Sequence, residues 1–94
     1  MFEISRKDNG DVELKGRLDA SQEGKAREVL DHLSESGTID FRELQYISSA
    51  GLGVLLAAQK RLMGTGHRLR IANMNTHIRE IFEMAGFRQI FDLD

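Results

Sequence analysis

Cysteine is absent from the 94 residues, which excludes disulfides, thiolate zinc sites and cysteine nucleophiles and makes a reducing compartment the expected setting. Proline is absent as well, so glycine supplies the punctuation between elements and no proline-rich linker divides the chain. The longest uncharged apolar stretch, from Ile47 to Ala58, is too short to span a bilayer. The run Met1-Phe2-Glu3-Ile4-Ser5-Arg6-Lys7 reaches charged residues too soon for a signal peptide. Neither sign of charge dominates: thirteen Lys and Arg stand against fifteen Asp and Glu, giving a net charge of −2. The two signs are mixed along the whole length, so the footprint of a nucleic-acid or anionic-membrane binder is missing. The expectation is a soluble cytoplasmic protein.

The hydrophobic residues make up 40% of the chain, enough for one ordinary core, and residues 1–94 are expected to form a single domain. Phe2 and Ile4, then Val12, Leu14 and Leu18, alternate with polar residues around Asp8-Asn9-Gly10-Asp11, which predicts an N-terminal hairpin. Asp19 precedes a helix pattern of Ala26, Val29, Leu30 and Leu33, with Gln22 at the capping-box position and Gly37 as the stop. Ile39 and Phe41 alternate with Thr38, Asp40 and Arg42 as a short strand. Leu52, Leu55, Leu56, Leu62 and Met63 trace a second helix, widened by Val54, Ala57 and Ala58 and so the most apolar of the chain. Leu69 and Ile71 form a further strand, and Asn75 or Thr76 caps a helix with Ile78, Ile81, Phe82 and Ala85 on one face and Gly86 at its end. A final strand or turn carries Phe87, Ile90, Phe91 and Leu93.

This order is an α/β pattern: a four- to five-stranded mixed sheet whose hairpin is antiparallel and whose later strands are parallel. Every strand alternates apolar with charged residues, which places the helices mainly on one face and leaves the other partly wet.

Chemistry concentrates at Tyr46-Ile47-Ser48-Ser49-Ala50-Gly51-Leu52-Gly53, where a strand ends and a helix with unpaired N–H groups begins. One cap needs one hydroxyl, so either Ser48 caps and Ser49 faces outward, or the reverse. Gly51 and Gly53 each forgo up to about 1 kcal/mol of helix propensity relative to alanine, which asks for close approach of another backbone, either the protein's own sheet or a partner. A phosphate on the serine would meet the positive end of the helix, but the first turn carries no Lys or Arg to clamp it. Catalytic readings lack support. The segment is not a Gly-x-Ser-x-Gly elbow, and His32, His67 and His77 stand at no metal-ligand spacing and are expected as solvated surface side chains. No metal or other cofactor is expected.

The segment from Tyr46 to Leu56 resembles the signature of STAS domains, the family of bacterial anti-sigma factor antagonists. Gly16-Arg17-Leu18-Asp19 and Ile78-Arg79-Glu80-Ile81-Phe82-Glu83-Met84-Ala85-Gly86-Phe87 are similar to two further family elements, so the resemblance covers nearly the whole chain. It implies successive strand–helix units with helices on one side of a sheet. It also implies a cycle: the unphosphorylated form binds an anti-sigma factor that is a serine kinase with a histidine-kinase-like ATPase fold, phosphorylation ends the binding, and a PP2C-type phosphatase restores it. By position in the family motif the phosphoacceptor is Ser49, with Ser48 as competitor, and the partner surface comprises Ser48, Ser49, Ala50, Gly51, Leu52, Gly53 and Asp19. Ser48 stands where the family often has aspartate and Ala50 where it often has a second hydroxyl. Against the family pattern the stretch Gly37 to Ile47 looks shortened, with a clipped third strand. The alternative is a constitutive STAS scaffold or docking subunit of a signalling or transport complex. A monomer or weak dimer is expected.

Overall fold

The hairpin predicted around Asn9-Gly10 is present in the computed structural model, which describes residues 1–93. Strands β1 (Phe2–Arg6) and β2 (Val12–Leu18) pair antiparallel, with Ile4 opposite Leu14. β3 (Gly37–Ile47), β4 (Leu69–Ala72) and β5 (Asp92–Leu93) then add in parallel, so the sheet reads β1-β2-β3-β4-β5. Helices α1 (Glu23–Leu30), α2 (Ser49–Met63) and α3 (Thr76–Met84) make the three crossovers. Each crossover moves one strand along in the same direction, and right-handed connections of that kind stack all the helices on one face.

The covered face is a continuous apolar layer: Val12, Leu14, Leu18, Ile39, Phe41, Leu44, Ile47, Leu69 and Ile71 are buried there. Phe82 of α3 is its aromatic centre, packed edge-on to Phe41 at 5.8 Å, Phe87 at 5.6 Å and Phe91 at 5.8 Å between ring centroids. The opposite face carries Glu13, Lys15, Arg17, Arg42 and Glu43, half-buried or exposed.

Four local expectations are corrected. The third strand is neither short nor clipped: it is the longest, 11 residues. Its buried positions Phe41, Leu44 and Ile47 are three apart because the pairing with β2 shifts twice, between Glu13 and Lys15 and between Gly16 and Arg17. Each shift inserts an extra β3 residue, which breaks the period-two signal of a strand. Helix α1 stops at Leu30, well before Gly37, because the Arg61 guanidinium on α2 donates to the carbonyls of Leu30 at 2.9 Å and Leu33 at 2.8 Å. That cation supplies from another helix the termination expected from a local glycine. Met63, Ala57 and Ala85, expected in the core, are exposed. His67 is half-buried: its Nδ1 accepts the Ser36 N–H at 3.1 Å, and the Ser36 hydroxyl accepts the Arg68 N–H at 2.9 Å.

One buried polar side chain escaped the sequence reading. Gln59, on the apolar face of α2, accepts the Leu69 N–H at 2.7 Å and donates to the Ile90 carbonyl at 2.7 Å. It pins α2 to the start of β4 and to the C-terminal segment. The available signal was a lone amide among Val54, Leu55, Ala58 and Leu62.

Candidate functional site

Strand β3 ends where the Ser48 N–H donates to the Leu18 carbonyl of β2 at 2.9 Å. Ser48 is therefore still extended, with φ −88° and ψ 170°, and the first helical residue of α2 is Ser49. The Ser48 hydroxyl accepts the Gly51 N–H at 3.1 Å, and the Ser48 carbonyl accepts the Leu52 N–H at 2.9 Å. The alternative left open by the sequence closes on Ser48 as the cap. Ser49 is exposed, and among the described residues its hydroxyl has no hydrogen-bond partner.

The two glycines part company. A Cβ on Gly51 would lie 2.8 Å from Leu18 Cγ and 2.9 Å from Ile47 Cγ1, whereas one on Gly53 would meet nothing within 4 Å. Gly51 lets α2 sit down on β2 and β3, and the protein's own sheet accounts for it. Being buried, it is removed from the expected contact surface. Gly53 is exposed and has no such account. The surface of the turn is thus Ser49 and Gly53, with half-buried Ala50 and Leu52 between them.

Asp19, directly after Leu18, flanks this turn at the end of β2. It caps a short 3₁₀ turn (Ala20–Gln22), and its Oδ1 accepts from the Ser21 hydroxyl at 2.6 Å and the Ser21 N–H at 3.1 Å. These bonds, the hydroxyl foremost, and the charge of Arg17 hold its carboxyl below the ordinary carboxylate range. Asp19 is therefore a carboxylate at the end of β2, next in sequence to the Leu18 carbonyl that holds the Ser48 N–H. Ser49 is the first residue of a 15-residue helix whose only basic residues in the terminal turns, Lys60 and Arg61, lie at the far end. A hydroxyl so placed is accessible and uncommitted, and no side-chain base is hydrogen-bonded to it among the described residues. Among those residues no group of three or more His, Asp or Glu is placed to hold a metal ion, and no helix is long and apolar enough to cross a membrane.

Comparison with known proteins identifies the family and the fold. The protein BtrV of Bordetella bronchiseptica is 43% identical over 53 residues, covering 56% of this chain and 46% of its own, so the match spans about half of that relative. The anti-sigma-B factor antagonist of Bacillus subtilis is 28% identical over 85 residues, covering 87% of this chain and 78% of its own. The Bacillus cell fate determinant SpoIIAA, in its phosphorylated form, superposes with a TM-score of 0.72 over all of this chain and 91% of its own, at 18% identity, which speaks to the fold. The family model described as "Mlab, STAS domain" matches residues 2–92. With a match over nearly its whole length and the five-stranded sheet and serine turn in place, this chain belongs to the STAS domain family.

Proposed function

We propose that this protein is an anti-sigma factor antagonist, a cytoplasmic binding module gated by phosphorylation of Ser49. The observation that carries the reading is the division of labour between adjacent serines: Ser48 is occupied as the cap while Ser49 presents a free hydroxyl at the surface. The name of the Bacillus subtilis relative supports the antagonist role. The partner on this reading is an anti-sigma factor with a histidine-kinase-like ATPase fold that acts as a serine kinase. A PP2C-type phosphatase resets the switch.

Unphosphorylated, the turn offers Ser49, Ala50, Leu52 and Gly53, a neutral patch of small and apolar groups. A phosphoryl group on Ser49 adds about −1.5 to −2 charge. The helix N-terminus tolerates that charge, but the first turn has no cation to clamp it, so the phosphate reorganises little within the domain. Its effect falls on the partner, which must desolvate a dianion or let go. Loss of a buried interfacial contact of this kind commonly amounts to about 2–5 kcal/mol.

One second reading is a constitutive docking subunit of a signalling or transport complex, favoured by the neutral Ser48 where the family often has aspartate, in which the same turn binds without modification. Ser49→Asp and Ser49→Ala separate the two. The switch requires that Ser49→Asp abolish binding to the kinase-like partner and Ser49→Ala retain it. Equal affinity of both folded variants leaves only the docking role. Mass spectrometry of protein recovered from its own cells should find the phosphate on Ser49, not Ser48.

A further inference from the structure

Strands β2 and β3 open a cleft of about 440 Å³ lined by Lys15, Gly16, Arg17, Arg42, Glu43 and Gln45, with Asn75, the cap of α3, among the other lining residues. Two backbone irregularities shape it. Gly16 is left-handed at φ +88°, where a Cβ would collide with the Met1 carbonyl, and the second register shift of β3 falls opposite it. A glycine kink and a bulge at one level of adjacent strands re-aim the side chains around them and mark sites of close approach.

We infer that this cleft is a binding site for a small multivalent anion carrying phosphate or carboxylate groups. Three cations, Lys15, Arg17 and Arg42, line it against one carboxylate, Glu43. None of the three is consumed by a tight ion pair. Lys15 Nζ stands 3.6 Å from Glu13 and 3.9 Å from Glu43, both long contacts. The Arg17 guanidinium carbon lies over the Tyr46 ring, 4.4 Å from its centroid, and no hydrogen bond from the guanidinium is found among the described residues. Among the described residues the Arg42 guanidinium has no hydrogen bond or ion pair, and neither has the Gln45 amide. Two guanidinium forks and an ammonium across one opening suit an oxyanion with several oxygens better than a single charge. Arg17 and Tyr46 lead directly into Asp19 and Ser48, so an occupied cleft sits two to three residues from the serine turn on both strands.

The test is a titration of the ¹⁵N-labelled protein with inorganic pyrophosphate and, separately, citrate, at constant ionic strength. The amides of Lys15 to Arg17 and Arg42 to Gln45 should shift and saturate. Arg42→Gln and Arg17→Gln should each weaken binding about tenfold or more, with the dispersed spectrum of each variant reporting its fold. Saturation by pyrophosphate alone identifies a phosphorylated ligand, and saturation by citrate alone a polycarboxylate. Shifts that stay linear with both anions, that are unchanged in the two variants, or that spread equally to Arg61 and Arg88 overturn the site.

Discussion

The Ser48 hydroxyl accepts the Gly51 N–H at 3.1 Å, and that single bond releases its neighbour Ser49 to the surface. Aspartate, which the family often carries at this position, is an equally good cap, so the neutral serine performs the same local task with one charge fewer. Ser48→Ala should destabilise the domain by about 1 kcal/mol. Ser48→Asp should be neutral or stabilising by about 0.3–1 kcal/mol through the helix dipole. Urea denaturation checks both, and a harmless Ser48→Ala would remove Ser48 as the cap.

The two helix glycines should respond with opposite signs. Gly51→Ala drives a methyl into Leu18 and Ile47 and should lower stability by about 1–3 kcal/mol, the usual range for overpacking. Gly53→Ala meets open space and should raise stability by up to about 1 kcal/mol. If a partner's backbone seats on Gly53, the stabilised variant should bind more weakly, a combination that thermal melts and a binding titration would expose together.

Acid should act through two carboxylates. Asp19 is held low chiefly by the Ser21 hydroxyl. Asp40 is raised by partial burial, but the Asn73 amide, the Arg42 N–H and the nearby cations outweigh that and leave it lowered. A carboxylate with a lowered folded-state pKa adds stability above its unfolded value, about 3.9, and loses it as pH falls through the folded value. Asp19→Asn and Asp40→Asn should therefore each be less stable than the parent at pH 7, and the gap should close below about pH 4. Denaturation curves run at pH 7, 5 and 3 check this; a gap that persists at the lowest pH would argue against it.

Gln59→Leu keeps the volume of the side chain and deletes its polar atoms, leaving the Leu69 N–H and the Ile90 carbonyl without this partner. Stability should fall by about 1–3 kcal/mol. Hydrogen exchange should accelerate first at Leu69 and in the segment around Ile90, where the amide joins three elements. Uniform exchange across the sheet would contradict the pinning role.

Much of this was legible because it is periodic. The hairpin, the strand–helix alternation and the amphipathic faces each follow from spacing along the chain, and the alternation of Leu69 and Ile71 with Arg68 and Arg70 already implied one wet face. What failed, failed where distant residues intervene. Two bulges turn Phe41, Leu44 and Ile47 into a spacing of three that matches no regular element. Arg61, 31 residues from Leu30, ends α1 early. The Gln59 amide finds Ile90 across the same separation. The cationic cleft draws on two strands whose residues are separated by more than 20 positions, so no local window contains it.

The serine turn divides along the same line. Sequence alone determined that a strand gives way to a helix at Ser48-Ser49 and that one hydroxyl would cap it, because both residues are good caps beside unpaired N–H groups. It did not choose between them, since the two side chains are chemically identical. The tertiary structure decided: the Ser48 N–H is committed to the Leu18 carbonyl of the neighbouring strand, so the ladder ends there and the helix begins one residue later. The point at which the sheet releases the chain makes Ser48 the cap and Ser49 the exposed hydroxyl.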